Sequence, residues 1–536
     1  MCNWARTEIL IGENPSHSAT CADRFRAGGR NLMGRHLNRP EVALPMGFLM
    51  SPADALFLIA ERPQRPLHVG SVALLGPPED AKGCHLRDMV TAALARERAA
   101  PEWRLRPHRS LRSLGQWHWR TDPEIDLSYH VRISALPAPG GLTELWDLVS
   151  RLHSELLDRT RPLWQFHLIE GLDDQRCAAY IKTHPALLAR VSLARLVQQI
   201  VGTDPNRRGM PAFWETAEQT GPHSLTPPVG GSDWLDTIQA TWVMPKMLAG
   251  DGLRNAARGA LAAVAGMAGM ALPLADTTWR AACRRGGPLT LAAPRSPLNV
   301  PISGNRAFAG CSFSIERLQR VAARTDATID DVVLAMCAGA LRQYLTTRNA
   351  LPSMPLVAMV PIVVPGNHPA DRTNPDTDSK LGLLMCSLAT HLANPAERLQ
   401  AVCEGMREGF TALAARSQTQ VLAMSVLGAT PLALAITLGR PITLLHPPNV
   451  MICNLFGLRG PLYWNGARLE ALYPLSVPVS GQALNISYTR IDNQLTFGLT
   501  ACRSAVPAIN SLADLLGREL EILDTASRFR IRRQIN

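Results

Sequence analysis

Residues Thr160–Ser192 read TRPLWQFHLIEGLDDQRCAAYIKTHPALLARVS. Two β-rich runs, Phe166–Leu172 and Cys177–Thr183, flank the turn-forming pair Asp173 and Asp174, and the spacing predicts a pair of strands. Upstream, Leu145, Leu148, Val149, Leu152 and Leu156 recur at helical spacing and mark one buried face. Strand–turn–strand text beside a helix of this kind is the unit of an α/β layer.

Working outward, the same alternation continues. Leu67–Gly76 is strand-like and ends at Pro77-Pro78. Val332–Leu345 reads as a buried helix, and Val357–Val364 as a strand closed by Pro365-Gly366. Leu484–Tyr488 and Leu495–Thr500 form a hairpin pattern around Asp492-Asn493. Leu512, Leu515, Leu516, Leu520 and Leu523 define a closing amphipathic helix. A chain of 536 residues exceeds what one core usually organises. The expected arrangement is an extension at 1–45, an α/β domain at 46–215, a crossover at 216–295 and a second α/β domain at 296–536. Residues 1–45 lack apolar periodicity and a signal-like apolar core, and Met33, Met46 and Met50 are alternative starts to Met1. Within the crossover, Gly259–Ala275 carries no charge but is short, rich in Ala and Gly, and broken by Pro273. It suits a buried or interdomain helix, or one lying at a membrane interface, better than a span.

The formal charge of +11 comes almost wholly from arginine, because Lys82, Lys182, Lys246 and Lys380 are the only lysines. That balance is compatible with an anionic membrane or a phosphate-bearing thioester. Without a recognition helix, zinc finger or RNA-binding signature, it does not indicate nucleic acid. Eleven cysteines stand singly, with no CxxC and no zinc spacing, so no metal site is expected and a reducing, cytoplasmic setting fits.

Several landmarks occur in a fixed order: Ser51-Pro52-Ala53-Asp54 with Glu61, Pro66–Gly70, Tyr129–Arg132 with Leu136-Pro137, Pro162-Leu163-Trp164, Ile169–Leu172, and Lys182-Thr183-His184. Leu298-Asn299, Arg306, Thr328–Leu345, Asn454 with Gly457, Pro461-Leu462-Tyr463, Tyr473-Pro474 and Leu484-Asn485-Ile486 follow. From Ser51 to Leu523 the chain resembles the bacterial wax ester synthase / acyl-CoA:diacylglycerol acyltransferase family. In the resemblance, Ser51–Gly70 and Tyr129–Arg132 correspond to successive opening strands. Asp330 stands where the family usually has Asn.

The resemblance implies an α/β fold of two similar two-layer domains, of the CoA-dependent, chloramphenicol acetyltransferase-like type, with a channel between them. It implies transfer of a fatty acyl group from acyl-CoA, as co-substrate without a further cofactor, to diacylglycerol or a long-chain alcohol. Triacylglycerol or wax ester is the product. The cysteine pattern suits a cytoplasmic protein, and the apolar run Gly259–Ala275 behind Arg254 and Arg258 suits peripheral association at the inner face of the membrane or at a lipid droplet. The family's HHxxxDG motif supplies a second histidine as general base on the alcohol. Here His184 matches the first histidine, Pro185 the second, Ala189 the aspartate and Arg190 the glycine. Proline has no titratable group. His184 therefore stands either as a substituted base or as a structural histidine closing a strand. Arg190 and Asn454 are the candidate substrate contacts. Two readings follow: an active acyltransferase with a displaced base, or a member that binds acyl-CoA or lipid without turnover.

Overall fold

The structure is a computed structural model that describes residues 47–78, 86–109, 115–188, 191, 196, 199–216, 293–364, 380–440, 446–458 and 460–535. The extension at 1–45, the apolar run Gly259–Ala275, Ala189 and Arg190 lie outside the described residues.

The first half of the chain runs β1 (Phe48–Leu49), α1 (Pro52–Ala60), β2 (Val69–Gly76), α2 (Leu86–Ala95), β3 (Leu105–Arg109) and β4 (Trp117–Thr121). It continues with α3 (Leu127–His130), β5 (Val131–Ala135), α4 (Leu142–Ser154), β6 (Trp164–Glu170), β7 (Cys177–Thr183) and α5 (Pro185–Leu188). The second half runs β8 (Arg306–Ser314), α6 (Ile315–Thr325), α7 (Ile329–Thr346), β9 (Val357–Val364), β10 (Lys380–Ser387), α8 (Pro395–Ala414) and α9 (Gln418–Leu438). Then come β11 (Val450–Leu458), β12 (Tyr463–Trp464), β13 (Ala467–Leu475), β14 (Leu484–Ile491), β15 (Gln494–Cys502) and α10 (Ile509–Ile535).

Local chemistry sets several of these boundaries. The Ser51 side chain accepts from the Asp54 amide and caps α1, so Ser51–Asp54 opens a helix where the resemblance suggested a strand. Thr328 and Asp331 form a reciprocal capping box on α7. Helix α4 stops at Ser154 because Glu155 is extended, which leaves Leu156 outside the helix and exposed, against the helical spacing read from the sequence.

Two six-stranded mixed sheets dominate, ordered β12-β13-β2-β7-β6-β5 and β10-β9-β11-β14-β15-β8, with a small β1-β4-β3 sheet beside them. The ribbon β12–β13 comes from the second half of the chain but joins the first sheet, where β13 runs antiparallel to β2 from Arg468↔Gly76 to Leu475↔Gly70. The halves are also joined through α4. Its Ser154 and Ser150 hydroxyls accept the Arg306 and Phe308 amides at 2.8 and 2.9 Å, satisfying the edge of β8. Gly310 permits this closeness, since a Cβ there would lie 2.7 Å from Tyr473 and 2.8 Å from Trp146. The largest core is built from α6, α7, α10 and the facing side of the second sheet. Among the described residues Cys311, Cys337, Cys386, Cys403, Cys453 and Cys502 are free, whereas Cys177 is disulfide-bonded, which the single spacing of the cysteines did not suggest.

Candidate active site

Strand β7 positions the motif. Its side chains alternate between two environments, as strand geometry requires. Ala179, Ile181 and Thr183 line a partly enclosed, almost wholly apolar cavity of about 170 Å³. Val69, Ala73 and Leu75 of β2, Leu469 and Leu472 of β13, and Leu455 and Leu458 of β11 complete much of its wall. The cavity thus lies where the lent ribbon and β11 meet the first sheet. Leu188, at the end of α5, also lines it.

His184 is fully buried, and it is not part of that wall. Its amide donates to the Leu163 carbonyl at 3.0 Å, and its Nδ1 accepts from the Ala186 amide at 3.2 Å. Nε2 faces Glu61 Oε2 at 4.0 Å, too far for a hydrogen bond, and Phe57 presents a ring edge at 6.3 Å between centroids. Burial pushes the imidazole pKa down to about 4, with Glu61 opposing that shift. His184 is therefore neutral near pH 7, with its proton on Nε2 and its Nδ1 lone pair already used. Pro185 is buried and begins α5, a position where its missing N–H costs nothing.

Beneath the opposite face of β7 lies a polar cluster. Lys182 Nζ donates to the Leu152 and Glu155 carbonyls at 2.8 and 2.9 Å, and burial lowers its pKa to about 8. His153 Nδ1 pairs with the Tyr180 hydroxyl at 2.9 Å, and burial holds its imidazole well below the usual range. His167 is buried with neither ring nitrogen hydrogen-bonded, and burial lowers its pKa to about 4. Both histidines are packed side chains.

Asn454 lies at a second, more open cavity, on a bulge in β11 between Asn454 and Gly457. Its Nδ2 donates to Asp330 Oδ1 at 3.1 Å, and the Tyr488 hydroxyl donates to the same oxygen at 2.7 Å. Burial pushes the Asp330 carboxyl up, the two donors pull it back, and Asp331 adds to the rise. Leu455 belongs to the walls of both cavities. Of the candidates named from the sequence, Asn454 lines the second cavity and His184 neither, whereas Thr183, which was not among them, lies on the cavity side by the alternation from Ala179. No group of three or more His, Cys, Asp or Glu suited to a metal ion occurs among the described residues. No helix among them is long and apolar enough to cross a membrane.

The chain matches the family described as wax ester synthase/diacylglycerol acyltransferase catalytic domain over residues 50–333, and the WS/DGAT C-terminal domain over residues 379–524. It is 55% identical over 484 residues to a Mycobacterium tuberculosis H37Rv protein provisionally named a diacylglycerol O-acyltransferase, covering 90% of this chain and 92% of that protein. A second provisionally named diacylglycerol O-acyltransferase of that strain is 38% identical over 478 residues, covering 89% of this chain and 99% of its own length. The solved wax ester synthase/diacylglycerol acyltransferase from Marinobacter aquaeolei VT8 superposes with a TM-score of 0.68 at 32% identity, over 90% of this chain and 99% of that one. The fold is accordingly the α/β, chloramphenicol acetyltransferase-like arrangement of two similar domains. On these matches, which span nearly all of the described sheets and helices, the chain belongs to the wax ester synthase/diacylglycerol acyltransferase family.

Proposed function

We propose that this chain transfers a fatty acyl group from acyl-CoA to diacylglycerol or a long-chain alcohol, giving triacylglycerol or wax ester. The observation that carries the reading is the apolar cavity against the end of β7, in a chain of this family. An alkyl chain gains about 0.8 kcal/mol for each methylene buried in such a wall. In the reaction the alcohol oxygen attacks the thioester carbonyl, the C–S bond breaks, and the proton lost by the alcohol ends on the departing coenzyme A sulfur, which leaves as the thiol. Pro185 cannot take that proton. His184, with Nδ1 engaged by the Ala186 amide, positions the motif in this reading. Arg190 and Asn454 are the proposed substrate contacts. The same reading assigns 46–215 and 296–536 as acyltransferase-like domains joined by 216–295. It sets the protein at the inner face of the membrane, or at a lipid droplet, as a peripheral cytoplasmic protein.

The test is acyl transfer from radiolabelled acyl-CoA to mixed diacylglycerol and long-chain alcohol acceptors. Transfer by the wild type supports the reading. Binding of acyl-CoA without transfer makes the chain a lipid-binding member instead. The motif gives a sharper prediction. Pro185→His alone raises the rate little above the wild type's, because an imidazole needs neighbours that orient it and share its charge. Pro185→His with Ala189→Asp and Arg190→Gly raises the rate by more than the sum of the single changes, since groups acting as a unit are non-additive. A triple variant no faster than Pro185→His contradicts the assignment of these positions.

A further inference from the structure

We propose that the Thr183 hydroxyl binds the carbonyl oxygen of a fatty acyl thioester in the cavity at the end of β7. This rests on the acyltransferase reading above. Thr183 is 2% exposed, and its Oγ1 is buried without a hydrogen-bond partner. It is the last residue of β7, on the wall it shares with Ala179 and Ile181, and it immediately precedes His184-Pro185. The other hydroxyls of that wall are differently placed. Ser476 Oγ is bonded to Ser487 Oγ, Thr489 also has an interaction, and Ser71 is only half-buried, so its hydroxyl is not among the buried atoms without a partner.

A buried hydroxyl with no partner destabilises a fold, because its bond to water is lost and nothing replaces it. At a largely apolar wall, it suits a ligand that brings an acceptor once rotation about χ1 turns the hydroxyl towards the cavity. A fatty acyl group fits on both counts. Its chain is apolar throughout and its single polar end is a carbonyl oxygen that accepts one hydrogen bond. The same donor also suits the oxygen of a long-chain alcohol, and the experiment separates the two.

The variants are Thr183→Val, which removes only the hydroxyl, and Thr183→Ser, which keeps it. The ligands are palmitoyl-CoA, hexadecyl-CoA (a thioether without the carbonyl) and hexadecanol, measured by equilibrium binding alongside thermal unfolding. Thr183→Val is expected to unfold at the wild-type temperature or above it, since valine suits a strand and buries no polar atom. Its affinity for palmitoyl-CoA falls about three- to tenfold, while that for hexadecyl-CoA is unchanged. Thr183→Ser keeps the preference for the carbonyl ligand. A lower unfolding temperature in Thr183→Val overturns the proposal, because the hydroxyl then has a structural partner. So does an equal loss for both CoA ligands, or a loss confined to hexadecanol. A wild type that transfers acyl groups, with Thr183→Val giving one of these results, sinks this inference alone. One that binds neither CoA ligand sinks the acyltransferase reading with it.

Discussion

Asp330 stands, with Pro185, Ala189 and Arg190, among the positions at which the resemblance expects a different residue, and its chemistry can be measured. Both of its hydrogen bonds fall on Oδ1, from Tyr488 and Asn454. Asparagine at the same position can accept both on its single carbonyl oxygen, so Asp330→Asn keeps the contacts and removes only the charge. The carboxyl is raised in the folded protein, chiefly by burial. A raised carboxyl binds protons more readily folded than unfolded, so its stabilising contribution is full below the unfolded pKa and is lost as pH rises through the folded one. Asp330→Asn is therefore expected to stabilise the protein at pH 7, by less than about 1 kcal/mol because the side chain is only half-buried. The gain disappears in acid. Urea unfolding at pH 7 and again near pH 4 checks it, and a loss of stability at pH 7 would mean that the ionised form is the one the fold prefers. The position was legible in the sequence as a departure. Its partner Tyr488 was not, because 158 residues separate the two.

At the scale of elements, β7 works because its two faces carry different chemistry. The run CAAYIKT announced a strand, and its alternation announced the faces, so the strand pair β6–β7 and its turn were readable directly. What the alternation could not show is where Lys182 reaches. Its ammonium takes the Leu152 and Glu155 carbonyls at the end of α4, replacing the glycine that commonly closes a helix and placing a cation where the helix dipole favours one. The helix stops at Ser154 in that setting, and the leucine spacing that ran on to Leu156 overshot it. Lys182→Met preserves the aliphatic stem and removes both bonds. Leaving two carbonyls at a buried helix end unsatisfied should cost about 2–3 kcal/mol. The expected readout is a lower urea midpoint with an unchanged m-value. A change below about 0.5 kcal/mol would show that water replaces the ammonium at no cost.

Over the whole molecule, the order of elements could be read locally but the pairing of β13 could not. That strand joins β2, nearly 400 residues away in sequence, and no local pattern encodes such a partner. Another consequence of the assembled fold is its stock of buried histidines. Burial lowers His130, His167 and His184 each to about 4, and holds His68 and His153 well below the usual value. These groups are neutral in the folded protein at a pH where the unfolded chain would already bind protons. A depressed folded pKa contributes stability that is present above the unfolded value, near 6.5, and is lost as pH falls through the folded one, near 4. Within that window each such histidine steepens the decline towards about 1.4 kcal/mol per pH unit. Carboxyls raised by burial, such as Asp330 and Glu519, act in the opposite direction, but among the described residues the lowered histidines outnumber them. The protein should therefore lose stability steeply between about pH 6.5 and pH 4, taking up several protons as it unfolds. Urea midpoints measured across that range give the slope, and His167→Gln, at a ring with neither nitrogen hydrogen-bonded, should reduce it by about one proton. A midpoint that holds level from pH 7 to pH 4.5 would mean that these imidazoles are charged in the folded protein.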